Sequence, residues 1–433
     1  MIISGWGRNK SINCKIIYPQ NINEIITIFK KNEIKGIITR GMGRSYGDIS
    51  IYKNIISLEK FTKKFDFDVE NGILNCSTNF TLEEILSKIV KAGWFFNVTP
   101  GSKYVSIGGA IANDVHGKNH HKDGSFCDFV DEIEIITPDG NIERCSKQTN
   151  SDLFKSTCGG AGMTGVILSA KIRLLKIFSK NLDIHIHQSN NIEKTLELFN
   201  KLNKNKYVVA WVDTLNSSSF GRSIIFSANH SNDKDLELRI NKQIKIPSIL
   251  VKPFMNKFFL SIFNKIYFFI NKKKKILKQN INNFFYPLDK IKNWNSFYGK
   301  NGFIQIQILI LEKEKYLNVL NKIFSHLSNN NIFSYLTTLK EFGNGNDNFL
   351  SFPEKGLSLT LDIPNNDKLP EIYNDLEKLI FQDKIKIYLA KDSFMSKDFF
   401  KKNYKKINMF ELQKNKIDPQ KKMRSLLSER LEI

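Results

Sequence analysis

Glycine-rich loops that could surround a phosphate group are the first chemical feature of the sequence. One loop runs Arg40, Gly41, Met42, Gly43, Arg44, Ser45, Tyr46, Gly47, Asp48; a second holds Pro100, Gly101, Ser106, Gly108, Gly109 and Ala110; a third holds Gly159, Gly160, Gly162 and Gly165. Glycine lets backbone N–H groups come close to an anion. A single loop of this kind is usually only a turn. Three in one part of the chain favour an extended ligand that carries phosphate.

The third loop contains the letters GxGxxG, the fingerprint of Rossmann dinucleotide sites. That fingerprint has its meaning only where the loop leads from a strand into a helix. Val166–Arg173, after the third loop, has the pattern of a strand, and Ile49–Ile51, after the first, is not a helix start. The sequence therefore argues against a Rossmann domain.

The segment Asn113–His121, which is rich in basic residues, is the second chemical feature. It contains Lys118 and three histidines, His116, His120 and His121. A metal site would need further ligands at a recognised spacing, and the nearby Asp123 and Cys127 do not provide one, so no metal is expected. A polar surface loop accounts for His120 and His121 better than for His116, which stays a functional candidate.

Short helices and strands alternate through the N-terminal part. Asn21–Glu33 has helical apolar spacing and precedes an apolar strand, Ile34–Thr39. Thr81 and Glu84 form a capping box for the next helix, which Gly93 ends. A tight turn at residues 138–140 joins two strands, Ile133–Thr137 and Asn141–Cys145.

The pattern changes near Ser179. The predicted strands beyond it are Asp183–His187, Val208–Thr214, Ser223–Ala228, Phe303–Leu311, Leu357–Ile363 and Lys384–Leu389. The predicted helices are Ile192–Asn203, Glu312–Leu327 and Lys368–Phe381. This order predicts a second α+β domain built on an antiparallel sheet. We expect domains at residues 1–178 and 179–433, with the C-terminal segment packing back on the first.

Composition limits the class of protein. The 433 residues carry a net charge of +22, spread evenly with the many Lys, Asn and Ile residues. That even spread favours compositional bias over a nucleic-acid surface, and an acidic substrate or an anionic membrane fits the same sign. The five cysteines include no CxxC pair, which excludes a disulfide scaffold and suits the cytoplasm. Neither a secretory signal nor a membrane-spanning helix is expected.

The segment Ile244–Lys275 has two interpretations. It is rich in Phe and Ile, is interrupted by lysines, and ends in four of them. It is either a buried helix whose lysines reach to water, or a helix that lies in a membrane interface beside anionic lipid. The sequence leaves both open.

The three loops together with further motifs resemble a known family. These motifs are Ser4–Arg8, Gly108–Phe126, Tyr286–Asp289, Gly302–Gln307, Ala390–Ser393, Asp418-Pro419 and Arg430-Leu431. The chain resembles FAD-binding oxidoreductases of the vanillyl-alcohol-oxidase type, and among them the decaprenylphosphoryl-ribose 2′-oxidase family. This resemblance implies an α+β, two-domain, PCMH-type FAD-binding fold with an antiparallel-sheet cap domain that binds substrate.

The resemblance also implies how FAD is held. The pyrophosphate would lie on the first glycine loop, where many relatives carry a histidine that bonds covalently to the flavin. Arg44 occupies that position here, so FAD is expected to be non-covalent. The implied FAD contacts are Arg40, Gly41, Met42, Gly43, Arg44, Ser45, Tyr46, Gly47, Asp48, Pro100, Gly101, Ser106, Gly108, Gly109, Ala110, Asn113, His116, Gly117, Gly159, Gly162, Gly165, Val166 and Tyr388.

Members of this family oxidise the 2′-hydroxyl of a ribose on a polyprenyl phosphate, and a short-chain reductase then reduces the ketone to the epimer. By resemblance, Lys391 and Lys118 are the catalytic lysines, either one binding phosphate or acting as base, and His116 lies near the flavin. The implied substrate lining is Tyr286, Gln305, Gln307, Thr360, Tyr388 and Lys391, with Thr360 where actinobacterial members carry cysteine.

Three functions stay open on these grounds. The first is oxidation of a polyprenyl-phosphate pentose, with peripheral contact at the inner face of the plasma membrane. The second is oxidation of a soluble sugar, alditol or aldonolactone. The third is a non-enzymatic basic protein that binds lipid or nucleic acid, which intact glycine loops disfavour, so no nucleic-acid partner is expected.

Overall fold

The computed structural model describes residues 1–31, 35–215, 221–238, 242–272 and 276–433. The strands of the N-terminal part are β1 (Ile2–Ser4), β2 (Ser11–Asn13), β3 (Lys15–Ile17), β4 (Ile38–Thr39), β5 (Asn54–Ile56), β6 (Phe65–Asp68), β7 (Ile73–Ser77), β8 (Trp94–Phe96), β9 (Val130–Ile136), β10 (Ile142–Ser146) and β11 (Val166–Lys176). Its helices are α1 (Ile22–Lys30), α2 (Leu82–Ile89), α3 (Ile107–Ala112), α4 (His120–Asp123) and α5 (Ser151–Thr157).

These strands form two larger sheets. Strands β3, β5 and β4 pair in parallel, and an antiparallel sheet has the order β10-β9-β11-β7-β6. The long strand β11 is central to the second sheet, and its far end also pairs with β8. The first glycine loop follows β4, the second follows β8 and the third leads into β11. The strands of the two sheets therefore hold the loops in position.

Capping explains several helix boundaries. The predicted capping box is present at α2, where Thr81 and Glu84 bond reciprocally, and Gly93 closes the following turn with a φ of 80°. Asn21 caps α1, but the helix ends at Lys30, before the predicted end at Glu33. The predicted last residues of that helix and the predicted first residue of the strand Ile34–Thr39 fall at residues 32–34, which lie outside the described residues.

The C-terminal part contains strands β12 (Asn181–Ser189), β13 (Tyr207–Val212), β14 (Ser223–His230), β15 (Ile276–Asn280), β16 (Phe303–Ile310), β17 (Thr337–Phe342), β18 (Gly356–Pro364) and β19 (Ile385–Ile387). Its helices are α6 (Ile192–Leu202), α7 (Ser248–Val251), α8 (Lys257–Lys272), α9 (Ile281–Phe285), α10 (Tyr316–Asn329), α11 (Leu369–Ile380), α12 (Lys397–Asn403), α13 (Ile407–Ile417) and α14 (Leu426–Leu431).

The eight strands form one antiparallel sheet in the order β15-β12-β14-β13-β17-β18-β16-β19. Each strand predicted from the sequence is present within it, and β15 and β17 are additional. Every residue of β16 is buried, so both faces of the sheet are covered there. The predicted α+β class with an antiparallel second sheet is confirmed.

Strands β11 and β12 flank residue 178 and belong to different sheets, and we propose this point as the domain boundary. The C-terminal segment contacts the N-terminal part. Ile37 forms a β-bridge with Met423, the Leu426 N–H donates to the Ile51 carbonyl oxygen at 2.9 Å, and Arg430 pairs with Asp48. The chain end thus closes over the base of the first glycine loop.

All five cysteines are buried free thiols. No helix in the described ranges is long and apolar enough to cross a membrane. Helix α8 lies within the segment that had two interpretations, while residues 273–275 lie outside the description.

Candidate active site

A cavity of about 940 Å³ extends from the glycine loops to the eight-stranded sheet. Predicted site residues in its wall are Arg40, Gly41, Met42, Gly43, Arg44, Ser45, Tyr46, Pro100, Gly101, Ser106, Gly108, Gly109, Asn113, His116, Lys118, Gly162, Gly165, Gln305, Thr360, Tyr388 and Lys391. All three loops therefore meet one cavity, together with residues of the C-terminal sheet.

The first glycine loop presents its backbone to the cavity. A Cβ atom on Gly41 would lie 2.2 Å from the Ser106 Oγ, so no larger residue fits there. The backbone N–H groups of residues 41–45 donate to no other group in the described part of the chain. Ser106 caps α3 and accepts from the Gly109 N–H at 3.2 Å. Unpaired N–H groups beside a capped helix start are suited to a phosphate.

Other predicted site residues lie behind the wall. These are Gly47, Asp48, Ala110, Gly117, Gly159, Val166, Tyr286 and Gln307. A Cβ on Gly47 would lie 1.6 Å from the Asp392 carbonyl oxygen, and Asp48 is paired with Lys10 and Arg430. The Tyr286 hydroxyl bonds to the Thr99 Oγ1 at 2.5 Å. Gly47, Asp48 and Tyr286 therefore contact other residues of the protein in this structure and do not line the cavity.

His116 lies in an aromatic environment. Its ring centre is 4.8 Å from that of Phe342 and 5.2 Å from that of Tyr388. The Gln307 Nε2 is 2.8 Å from the His116 Nε2, and the His116 Nδ1 has no partner among the described residues. Burial lowers the pKa of His116 well below its ordinary value, so the ring is neutral at pH 7.

The neighbouring histidines correct one expectation. His120, expected on a surface loop, is buried, with its ring centre 4.5 Å from that of Phe342. His121 is half-buried and bonds to the Asn205 carbonyl oxygen at 2.9 Å. The polar sequence of this segment did not indicate the short helix α4. In the structure α4 turns the His120 ring inward, where it packs against Phe342 of β17.

Gln305 and Gln307 point to the same face of β16, as their spacing predicted, and both are buried rather than on a solvent face. Gln305 lines the cavity and donates to the Asp362 Oδ1 at 2.5 Å. Gln307 supports His116 and also donates to the Ser358 Oγ at 2.8 Å. The two therefore share a face and divide its tasks.

Three lysine amines meet in the cavity wall: Lys118, Lys391 and Lys340. The Lys118 Nζ donates to the Phe284 carbonyl oxygen and lies 4.1 Å from the centre of the Phe284 ring. Burial, then the charge of Lys340, lowers the pKa of Lys118 to about 7. Burial lowers the pKa of Lys340 to about 8. The cavity therefore contains amines that lose protons near neutral pH.

Lys391 differs because a carboxylate is near it. Its Nζ lies 5.7 Å from the centre of the Tyr46 ring. Burial and the charge of Lys340 lower the pKa of Lys391, while the charge of Asp362 opposes them. Asp362 is buried, accepts from Gln305, and receives the Tyr298 hydroxyl at 3.4 Å. Burial raises the pKa of Asp362 above its ordinary value.

The sequence reasoning missed Lys340 and Asp362. Asp362 is two residues from Thr360 on β18, and this spacing places both on one face of the strand. Lys340 lies on β17, where Thr338 and Lys340 are two residues apart and flank the buried Leu339. This spacing is present in the sequence, but the pairing of β17 with β18, which brings the two polar faces together, is not.

Arg44 occupies the position of the expected covalent histidine. Its guanidinium carbon lies 3.9 Å from the centre of the Trp6 ring and 5.4 Å from that of Tyr104. Its Nε has no hydrogen-bond partner within the described ranges. Stacked arginine offers hydrogen bonds and charge but no nucleophilic nitrogen.

Comparison with known families gives the ligand. A family described as "FAD binding domain" matches residues 15–146. This range contains the first two glycine loops and the run Asn113–His121.

Similar proteins extend the match. The chain is 26% identical over 449 aligned residues to decaprenylphosphoryl-β-D-ribose oxidase of Mycolicibacterium smegmatis, covering 100% of this chain and 97% of that protein. It is 29% identical to D-lactate dehydrogenase of Archaeoglobus fulgidus over 37% of this chain and 39% of that one. It is 26% identical to cytokinin dehydrogenase 9 of rice over 37% and 32%.

The cavity fits FAD. Buried polar atoms in its wall without partners among the described residues include the Arg44 Nε, Asn113 Oδ1 and Gln305 Oε1. Buried polar atoms are normally paired, so these atoms mark where a polar ligand binds. A Cβ on Gly101 would meet no atom within 4 Å, which leaves space beside the second loop. Residues 41–45 would hold the pyrophosphate through their N–H groups.

We predict that FAD is held without a covalent bond, because Arg44 stands at the expected linking position and cannot bond to the flavin. Acid precipitation of the purified protein should release the yellow colour into the supernatant. Colour that stays with the pellet and survives denaturing electrophoresis would contradict this.

The unpaired N–H groups of the first glycine loop and the shape of the cavity indicate an FAD site, and the similar proteins indicate the same cofactor. The partial relatives each align over about a third of the chain, whereas decaprenylphosphoryl-β-D-ribose oxidase aligns over 100% of this chain and 97% of its own length. The chain therefore carries a PCMH-type FAD-binding domain and is an FAD-dependent oxidoreductase.

Proposed function

We propose that this enzyme oxidises the 2′-hydroxyl of a pentose linked through phosphate to a polyprenyl lipid. The similarity to decaprenylphosphoryl-β-D-ribose oxidase over the whole chain supports this substrate class. The observation that carries the proposal is that three lysines, Lys118, Lys340 and Lys391, line the same cavity as the FAD loops. Such a site suits a substrate that is both an alcohol and an anion.

The residues divide the chemistry as follows. Bound FAD supplies a hydride acceptor for the carbinol carbon. Lys391, with its lowered pKa, takes the hydroxyl proton at Nζ. Gln305 and Thr360 face the cavity from adjacent strands and orient the sugar. Neutral His116, fixed by Gln307, closes the wall without adding charge.

The product of this oxidation is a ketone on a lipid-linked sugar. We propose that a short-chain dehydrogenase/reductase reduces it from the other face, so that the two enzymes together invert one carbon. We propose that this pair of reactions serves the biosynthesis of a cell-envelope polysaccharide.

A soluble sugar or lactone oxidase is the second candidate. Its support is a set of relatives that align over little more than a third of this chain. They include D-lactate dehydrogenase and a Neurospora crassa protein bearing the name D-arabinono-1,4-lactone oxidase, 24% identical over 38% of this chain. Against it stands the absence of a histidine at the position of Arg44.

The substrate class is tested by anaerobic flavin reduction. A polyprenyl-phosphoryl pentose should bleach the flavin absorbance, whereas free pentoses, aldonolactones and D-lactate should not at equal concentration. Bleaching by a lactone or free sugar at the same rate would favour the second candidate.

We also propose peripheral contact with the inner face of the plasma membrane, through helix α8. The apolar side chains of this helix point to solvent, among them Phe258, Phe263 and Ile266, while its buried residue is Asn264. The buried-helix interpretation is therefore wrong. A contiguous apolar face that points to solvent marks an interaction surface.

The charge near α8 fits an anionic lipid surface. The sequence contains no Asp or Glu between Glu237 and Asp289, a stretch that includes many lysines. Each lysine near such a surface adds on the order of 1 kcal/mol. The inner side of α8 is fixed, because the Asn264 Nδ2 donates to the Asp213 Oδ1 at 2.8 Å and the Tyr267 ring packs on Trp211. The apolar face is thus held outward.

We predict that replacing Phe258 and Phe263 together by serine weakens binding to anionic liposomes at least about tenfold, since each buried aromatic ring contributes about 2 kcal/mol. Deletion of residues 251–275 should do the same, and salt should weaken wild-type binding. Liposome cosedimentation measures all three.

The matched control for liposome binding is Phe178→Ser, since Phe178 is equally exposed but lies outside the segment. If the double variant binds as well as this control, α8 does not mediate membrane contact.

A further inference from the structure

Four lysines line the cavity, and one of them, Lys63, is paired with Glu84. The other three, Lys118, Lys340 and Lys391, are not equivalent, because the charge of a carboxylate acts on Lys391. The charge of Lys340 acts on both Lys391 and Lys118, whereas the opposing charge of Asp362 acts on Lys391. The Lys340 amine forms no hydrogen bond or ion pair with another residue of the described ranges. Two half-buried amines in the cavity wall are therefore left without a counter-charge among the described residues.

Strand pairing brings these two amines together. The carbonyl oxygen of Lys118 accepts from the Val208 N–H on β13 at 2.9 Å. On the neighbouring strand β17, Leu339 lies opposite Ala210, and Val209 and Lys340 are the residues just beyond this pair. Val209 lines the cavity with both lysines. The backbone thus brings the segments that carry Lys118 and Lys340 next to each other.

Placing two cations side by side away from water costs free energy unless an anion accompanies them. In the described part of the chain, no carboxylate forms an ion pair with either amine. The wall around them adds Phe285, Leu336 and Thr338, which gives one hydroxyl and two apolar surfaces. An anion with an attached apolar group matches this lining.

We propose that Lys340 and Lys118 form an anion subsite that binds the phosphate diester of the substrate, separate from the Lys391–Asp362 pair that handles the hydroxyl proton. This inference rests on the proposed function for its natural ligand, but not for its test. It assigns binding to two of the three amines and proton transfer to the third.

Binding of dimethyl phosphate and inorganic phosphate to the FAD-loaded full-length protein tests the subsite. Isothermal titration gives the dissociation constant for the wild type and for Lys340→Gln, Lys118→Gln and Lys391→Gln. We expect Lys340→Gln and Lys118→Gln each to weaken binding at least about tenfold, since each loses a charge-assisted hydrogen bond. Lys391→Gln should weaken it less than about threefold.

Two further variants complete the design. Lys340→Arg keeps the charge and should restore most of the affinity, while exposed Lys405→Gln controls for net charge. With whichever substrate reduces the flavin, Lys340→Gln should raise KM, as expected for a group that binds the substrate anion. The pH–rate profile should also shift to higher pH, because the charge of Lys340 lowers the pKa of Lys391.

The outcomes separate the subsite from the function. No phosphate binding by the wild type, or a loss confined to Lys391→Gln, would overturn the subsite. A changed flavin reduction potential in Lys340→Gln with unchanged phosphate affinity would also overturn it, since the amine would then serve the flavin. Intact phosphate binding without flavin bleaching by the lipid-linked pentose would reject the proposed function alone.

Discussion

Substrate-driven reduction of the bound flavin should slow at least about a hundredfold when Lys391 is replaced by alanine, the lower range for loss of a general base. FAD content and melting temperature should not change, because the Lys391 side chain lines the cavity and forms no ion pair with another described residue. The neighbouring backbone, not this amine, supports the first glycine loop, since the Tyr46 N–H donates to the Ala390 carbonyl oxygen at 2.9 Å. Anaerobic stopped-flow spectroscopy measures the rate.

The pH dependence gives a second measurement for Lys391. Burial and the charge of Lys340 lower its pKa, so the neutral amine forms well below the ordinary range of lysine. The rate of flavin reduction in the wild type should therefore rise as pH increases through this lowered pKa, because only the neutral amine accepts a proton. The alanine variant should lack this rise.

Lys405→Ala, at an exposed position, is the control for removing one lysine from a strongly basic chain. Flavin reduction by Lys391→Ala at the wild-type rate would remove this residue from the mechanism. Lys118, with a pKa lowered to about 7, would then be the remaining candidate for the base.

The FAD-binding half was largely accessible from the sequence because its signals are local. Glycine spacing and the capping box at Thr81 and Glu84 depend on residues a few positions apart, and both are present as expected. The sequence did not distinguish glycines that line the cavity from glycines that pack behind it. Gly47 and Gly159 lie behind the cavity because the segments that press on them, at Asp392 and Ser351, are distant in sequence.

The substrate half depends on strand register, which a single sequence does not determine. Lys340 and Thr360 approach each other because β17 pairs with β18, in a register that sets Thr338 opposite Thr360. Asp362 gains its importance from Gln305, its partner across the β16–β18 ladder. Alternation along each strand predicts a polar face, but only the ladder order decides which polar faces meet.

Helix α8 shows a different limit. Its Phe and Ile content alone fits a buried helix and an interfacial helix equally. The decision came from one polar residue, Asn264, whose bond to buried Asp213 turns the polar side inward. The burial of Asn264 and the exposure of the apolar residues can be predicted only when the packing of α8 against Asp213 and Trp211 is known.

Replacing Arg430 by methionine should destabilise the protein by about 3–5 kcal/mol, the cost of breaking a buried ion pair by removing one partner. The Arg430 guanidinium contacts the Asp48 Oδ1 at 3.0 Å and the Asp392 Oδ2 at 2.9 Å, and both carboxylates are fully buried. Methionine keeps much of the volume but leaves Asp392 Oδ2 without its cation. The midpoint of urea unfolding measures the loss.

FAD retention should fall in the same variant, and this separates a specific effect from general loosening. Asp48 follows Gly47 at the end of the first glycine loop, and Asp392 follows Lys391, so Arg430 ties the phosphate-binding loop to the turn that carries the proposed base. FAD fluorescence should appear at a lower urea concentration than the unfolding signal. Arg424→Met, at an exposed position of the same segment, is the matched control. Equal unfolding midpoints in the two variants would show that Lys10, the other cation on Asp48, suffices to hold the loop, and that the C-terminus only covers it.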